Sequence, residues 1–392
     1  ASMFQFIFFL LTIRLCTIRP SDRSFFFIMK SFSIRLRFFI SSFALLALAA
    51  CAGPITASPQ ASRADIQREQ QFQQELVFER VIEDQKRLFD LSYPILKANA
   101  EFCRPKTAPM MGMTAWSLAS LNRQWQTAAR NLYGLTNRLT VRAVAKNSPA
   151  ARAGLRSGDI IVAINGATLP EGVNALKTAD TIVKQSAMRQ LEIIYERNGK
   201  AASTVLQPVE GCDYPVVLDS NSNEINAYAD GKRIVISKGI MRFSENDNEL
   251  ALVIAHELGH SAMRHVDKIR QNATVGTISG LAIDSLLAAA GISTGGQVAS
   301  LGGQAAVMQY SVAFEQEADY VGMYFLERAG YSAASVAQFW RRMGAENAQS
   351  ITRRSTHPTS VERFLAIERT YAEIQNKKKR GQPLVPNMQQ KR

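Results

Sequence analysis

The sequence predicts an α+β protein: a mainly helical domain with a short edge sheet, preceded by a smaller β-rich domain. Three observations carry this reading. Residues 139–209 alternate as short strands broken by turn pairs such as Asn198-Gly199. Residues 247–265 hold a continuous apolar helix pattern that ends in charged and polar side chains. Residues 311–345 and 359–375 repeat apolar positions at helical spacing. At 392 residues and 46% hydrophobic content, the chain can bury more than one core.

The N-terminus reads as an export signal. From Met29 the text is MKSFSIRLRFFISSFALLALAAC: Lys30, Arg35 and Arg37, then an apolar run that closes on small residues. The run 38–50 is too short for a permanent membrane span. Leu48-Ala49-Ala50-Cys51 resembles a bacterial lipobox, which implies that Cys51 is lipidated and begins the mature chain. Residues 1–28 would then lie upstream of the true start. Ala52, not Asp, follows the cysteine, so the resemblance points to a periplasmic protein held at the outer membrane. Two other readings stay open, simple secretion and a mitochondrial-type presequence. The formal net charge is +13. Outside the leader the positive charge is thickest in 376–392, NKKKRGQPLVPNMQQKR, where no aromatic residue interleaves. That composition predicts a solvated, disordered tail and no nucleic-acid partner.

The elements follow in order. Residues 51–61 form a linker. Residues 62–102 have helical spacing at Ile66, Phe72, Leu76, Val77, Val81 and Leu88, with Pro94 the first breaker, and predict one or two helices. Residues 103–212 form the β-rich domain: strands at 139–144, 189–196 and 202–209, and a helix near 172–186. Of four cysteines, Cys16 and Cys51 belong to the N-terminal region, so Cys103 and Cys212 are left to pair in an exported chain; two unpaired buried thiols are the alternative. A second composition occupies 213–375 and starts with short strands around an Asp230-Gly231 turn. Residues 272–308 are rich in Gly, Ala and Ser; Asp284 and the glycines argue for closely packed helices over a membrane span.

Within the β-rich domain, SPAARAGLRSGDIIVAING (148–166) resembles the helix-turn-strand core of PDZ domains from bacterial proteases. The resemblance implies that Met110, Met111, Gly112 and Met113 form the loop that holds a peptide's C-terminal carboxylate on backbone N–H groups. Glycine suits the tight backbone of such a loop. An insert at 116–138 departs from the pattern and could cover or reshape the groove.

The chemistry lies in LVIAHELGHSAMRH (252–265), which holds three of the chain's four histidines. Residues four apart share a helix face. His256 and His260 therefore offer two nitrogens to one metal ion, and Glu257 sits about 100° round, beside the metal's water, as a general base. His265, nine residues beyond His256, falls about 180° round a continuing helix and reads as a surface or packing residue. Catalytic zinc takes three protein ligands and keeps one position open. The third is sought in SVAFEQEADYVG (311–322), where Glu315 and Asp319 share a face and Glu317 lies about 200° round from Glu315. An ordinary charged helix face is the alternative.

HELGH (256–260) with EQEAD (315–319) resembles metallopeptidase family 48, the gluzincins that include CAAX prenyl proteases. INAYADG (225–231), AGYSAAS (329–335) and STHPTSVER (355–363) extend the likeness. The resemblance implies one zinc ion on His256, His260 and Glu315, with Asp319 behind a ligand and Glu257 as base. It also implies substrate pairing along Asn226, Ala227 and Tyr228. His357 of STHP would approach the metal, as a fourth ligand or transition-state donor; capping the following helix is the other reading. The expected function is a zinc endopeptidase of the cell envelope that degrades misfolded or mistargeted proteins, recruiting them through C-termini on the PDZ-like domain. The rival is a chaperone-like binding protein whose metal site is shut by His357.

Overall fold

A computed structural model describes residues 56, 58–275, 297–346 and 361–388, with the backbone alone for 297–312 and 361–362. The leader, Cys51 and His357 lie outside the described residues. The chain divides into Ala1–Ile66 and Gln67–Arg392. In the first unit the Ser62 hydroxyl accepts the Asp65 N–H at 3.1 Å and so caps the incoming helix.

That helix, α1 (Arg63–Ala98), is followed by α2 (Ala100–Cys103). Ile66, Phe72, Leu76 and Val77, placed on its apolar face by spacing, are exposed; burial begins at Phe78 and deepens through Leu88, Leu91, Ile95 and Leu96. The buried positions line two different cores. Phe78 stacks on Trp116 and Trp125 beside the β-rich domain, and Leu88 to Leu96 join the core of the helical domain.

The β-rich domain contains β1 (Thr107–Met110), β2 (Met113–Trp116), α3 (Arg123–Tyr133), β3 (Thr140–Val144), α4 (Pro149–Arg152), β4 (Ile160–Ile164), β5 (Ala167–Thr168), α5 (Asn174–Gln185), β6 (Leu191–Arg197), β7 (Lys200–Leu206) and β8 (Val209–Cys212). Six strands form one sheet in the order β2-β3-β4-β6-β7 with β5 beside β4. Asn198 and Gly199, at φ of 51° and 74°, make the β6–β7 hairpin turn. The single strand expected at 202–209 is two strands. Pro208 has no N–H for the ladder, so the chain breaks there and β8 crosses to pair with β1. The insert 116–138 packs α3 against Phe78 of α1, through Trp125 and Tyr133. Cys103 and Cys212 are joined by a disulfide, which ties the two ends of this domain.

The helical domain opens with β9 (Val216–Asp219), β10 (Ala227–Ala229) and β11 (Ile234–Ser237), in the order β10-β11-β9, so β10 is an edge. Then come α6 (Lys238–Phe243), α7 (Asp247–Ala262), α8 (265–275), α9 (Gln297–Arg328), α10 (Val336–Glu346) and α11 (Val361–Lys379). The helix expected across 311–345 is interrupted where Gly330 takes φ of 88°. Most of the small-residue stretch 272–308 lies outside the described residues; among those described, no helix is long and apolar enough to cross a membrane. Across its described residues, 376–388, the tail is tied down where composition predicts disorder. The Lys377 ammonium donates to the Val385 carbonyl at 2.7 Å, Arg328 donates to the Leu384 carbonyl at 3.1 Å, and Leu384 packs on the core. Composition saw the charges but not the two carbonyls that these cations hold.

Candidate metal centre

Helix α7 is the centre of the fold. Asn246 caps it, accepting the Glu249 N–H at 3.1 Å. Every residue from Glu249 to Ser261 is buried. A helix apolar on all sides belongs in a core, so His256 (0% exposed) and Glu257 (1%) enter that core with the run that precedes them. Helix α9 meets α7 at two glycines. A Cβ on Gly259 would stand 3.0 Å from the Ala318 carbonyl oxygen, and one on Gly322 would stand 3.0 Å from the His256 Cα. Without those two side chains the backbones approach closely enough for α9 to set Glu315 and Asp319 against the histidines.

The resulting distances are short. Nε2 of His256 and Nε2 of His260 are 3.1 Å apart; Glu315 is 3.4 Å from the first and 3.2 Å from the second. One ligand atom from each of the three residues falls within 4.8 Å of the others, the one such group among the described residues. Ligands about 2.0–2.2 Å from a tetrahedral zinc ion stand about 3.3–3.6 Å from one another. The donor set, two imidazoles and a carboxylate, therefore fits zinc in both chemistry and spacing. Asp319 lies 3.0 Å from His256 Nδ1, the nitrogen on the far side of the ring. Burial would depress the His256 imidazole, but Asp319 and Glu315 outweigh it and hold its pKa above the ordinary range.

Arg363, absent from the sequence-level site, is central to it. Its side chain is 1% exposed, lies over the Trp340 ring at 4.8 Å, and donates to Asp319 Oδ1 at 3.0 Å. It also approaches Glu315 at 3.2 Å. Burial alone would push Asp319 up; Arg363 and His256 hold it below the usual carboxylate range. Burial likewise opposes the Arg363 charge, which Asp319, Glu315 and Glu257 together hold above its ordinary value. The signal was the last residue of STHPTSVER (355–363), a stretch quoted for its likeness to the family but from which only His357 was assigned a role.

Of the two readings offered for His265, surface or packing, the structure has packing, but not opposite the site: α7 stops at Ala262, Arg264 takes φ of 57°, and the chain turns back so that His265 is fully buried. Its Nδ1 is 3.0 Å from His260 Nδ1, and its Nε2 is 2.7 Å from Glu317. The 180° estimate assumed one continuous helix.

The remaining candidates fall in two places. Ala227 and Tyr228 lie on the edge strand β10, with Asn226 just before it, and β10 runs beside α7. A cavity of about 290 Å³ opens beside His260, walled by Cys103, Lys106, Tyr214 and Gly231. The PDZ-like loop is separate. Gly112 has φ of 73°, and a Cβ there would overlap the Ser148 Cβ at 2.2 Å. The carbonyls of Met111 and Gly112 accept from Ala150 and Ala145 at 3.0 and 2.9 Å. Peptide planarity then turns the N–H groups of Gly112 and Met113 the opposite way.

Residues 189–371 match the profile of "Peptidase family M48" and residues 140–194 that of a PDZ domain. The beta-barrel assembly-enhancing protease of Escherichia coli O157:H7 is 32% identical over 31% of this chain and 27% of its own length. The mitochondrial metalloendopeptidase OMA1 of Schizosaccharomyces pombe is 31% identical over 38% of this chain and 44% of its own. The metalloprotease LoiP of Escherichia coli strain K12 is 30% identical over 40% and 60%. The chain thus spans between about a quarter and three fifths of the length of these relatives. With HELGH and EQEAD brought together in the core and a PDZ-like segment ahead of them, residues 189–371 are similar to peptidase family M48 and residues 140–194 to a PDZ domain.

Proposed function

We propose that this protein is a zinc-dependent endopeptidase. The observation that carries the reading is the meeting of His256, His260 and Glu315, with Glu257 next on the same buried helix. Zinc held by those three residues supplies Lewis acidity to a water molecule and to the scissile carbonyl. Asp319 keeps a proton on His256 Nδ1, so that Nε2 faces the donor cluster with its lone pair. The Glu257 carboxylate takes the proton of the attacking water and delivers it to the leaving amine as the C–N bond breaks. Arg363 offsets the negative charge that Glu315 and Asp319 bring into the core. Strand β10, through Asn226, Ala227 and Tyr228, holds the substrate extended by adding it to the sheet edge.

The substrates are unfolded or misfolded proteins, and the PDZ domain recruits them or partner proteins by C-termini bound at Met110 to Met113. The N–H groups of Gly112 and Met113, turned away from their anchored carbonyls, support that role. The protein works in the cell envelope, lipid-anchored through Cys51 on the periplasmic side of the outer membrane. The export-like leader and the Cys103–Cys212 disulfide favour an oxidising compartment. The names of the relatives, all proteases or a metalloendopeptidase, favour an enzyme over a binding protein.

The reading is tested by metal removal. The full chain is expected to cleave casein, to lose that cleavage on dialysis against phenanthroline, and to regain it with one equivalent of zinc. Cleavage that survives complete removal of metal would contradict it.

A further inference from the structure

We propose that His265 is a positioning residue for the metal centre: with Glu317 it fixes the tautomer and orientation of His260. The proposal rests on the zinc reading of the site. It starts from a local feature, the left-handed Arg264, which ends α7 and returns His265 against the last turn it has just left. The ring is fully buried and stacks on Phe314 of α9, centroids 4.6 Å apart with an interplanar angle of 17°. Stacking leaves both nitrogens in the plane to make directed contacts. One reaches His260 Nδ1 at 3.0 Å and the other reaches Glu317 at 2.7 Å.

The proton positions follow from these two contacts. A neutral imidazole has one N–H donor and one lone pair. For His260 to present a lone pair from Nε2 toward His256 and Glu315, its proton must sit on Nδ1. His265 Nδ1 must then accept that proton's hydrogen bond, so the His265 proton sits on Nε2. There it donates to Glu317, whose carboxylate can only accept. The opposite tautomer of His265 would set a lone pair against the Glu317 carboxylate at 2.7 Å and an N–H against the His260 N–H. Glu317 therefore selects the tautomer of His260 from one imidazole away. Lys268, 3.6 Å from Glu317, adds a positive charge at the far end of this chain.

The two ligating histidines are thus held in parallel ways. Metal-bound histidines usually give their second N–H to a carboxylate or a carbonyl. His256 faces Asp319 directly at 3.0 Å, whereas His260 reaches its carboxylate through His265. All the carboxylates concerned, Glu315, Glu317 and Asp319, come from one stretch of α9. That stretch carries the ligand Glu315 and the anchoring Asp319 on one face, and Glu317 on the other, where it meets His265.

The test is zinc affinity of the full chain, by competition with a chromophoric chelator, together with the visible absorption of the cobalt-loaded protein. His265→Phe keeps a stacking ring and removes both nitrogens; it is expected to weaken zinc binding roughly 10–100-fold and to alter the cobalt spectrum. His265→Asn places an amide oxygen near the Nδ1 position and is expected to stay within about threefold of the parent. Glu317→Leu, on a partly exposed helix position, is expected to weaken zinc in the same direction as the Phe variant. Parent-like affinity and spectrum in folded His265→Phe would overturn the proposal. If that variant does not fold, parent-like affinity in Glu317→Leu overturns it and a loss there supports it. A parent chain that binds no zinc would instead sink the reading of the site itself, and the proposal with it.

Discussion

Glu257→Gln is expected to bind zinc as tightly as the parent and to cleave casein about 10²–10⁴-fold more slowly. The carboxamide has the volume of the carboxylate, so α7 keeps its packing, but it cannot take a proton from water. The position leaves little room for a substitute. Glu257 is 1% exposed and directly follows His256 on a helix buried from Glu249 to Ser261. It is also not one of the three residues whose donor atoms converge, so its loss should leave the metal in place. Rate and zinc content measured on the same preparation separate the two roles. Equal cleavage by the variant would remove Glu257 from the mechanism; loss of zinc with loss of cleavage would make it a ligand.

The second large effect is expected at Arg363. Replacing it with Met keeps much of the side-chain volume over Trp340 but leaves Asp319 and Glu315 without their buried cation. Breaking a buried ion pair from one side costs about 3–5 kcal/mol, because the remaining charge is neither solvated nor paired. The metal-free variant should therefore unfold at markedly lower urea. Zinc places positive charge beside the same carboxylates, so the deficit should shrink when the site is loaded. Urea curves of parent and variant, each with and without zinc, give all four values. A metal-free variant as stable as the parent would show that Asp319 and Glu315 are held neutral there, against the depressed range of Asp319.

How much of this site could be read from the sequence depends on the residue. His256, Glu257 and His260 were legible because a polar trio interrupts an apolar run. Glu315 and Asp319 were legible because four-residue spacing puts both on one face. Arg363 was not assigned a role, although it closes the quoted STHPTSVER stretch, because its carboxylate partners are joined to it by tertiary packing alone. His265 is a packing residue, one of the two readings offered, but its position opposite the site was wrong for a local reason. The angular argument ran the helix past Ala262, and Arg264, a residue with no special tendency for positive φ, turns the chain instead.

The strands show the same division. β6 and β7 follow from alternation around Asn198-Gly199, whereas the break before β8 turns on one proline and on a partner strand nearly a hundred residues earlier. Gly330 was a visible stop signal inside a region read as continuous helix. Both cases are local breakers that periodicity, averaged over a window, passes over.

Glu315 is the ligand that no HExxH pattern supplies, and its meeting with α7 depends on the close approach at Gly259 and Gly322. The most direct measurement is therefore the zinc bound per chain, by elemental analysis after dialysis, in the parent and in Glu315→Ala. One zinc in the parent and a dissociation constant at least about tenfold weaker in the variant are predicted. A variant that holds zinc as the parent does would place the third ligand elsewhere and contradict the centre described above.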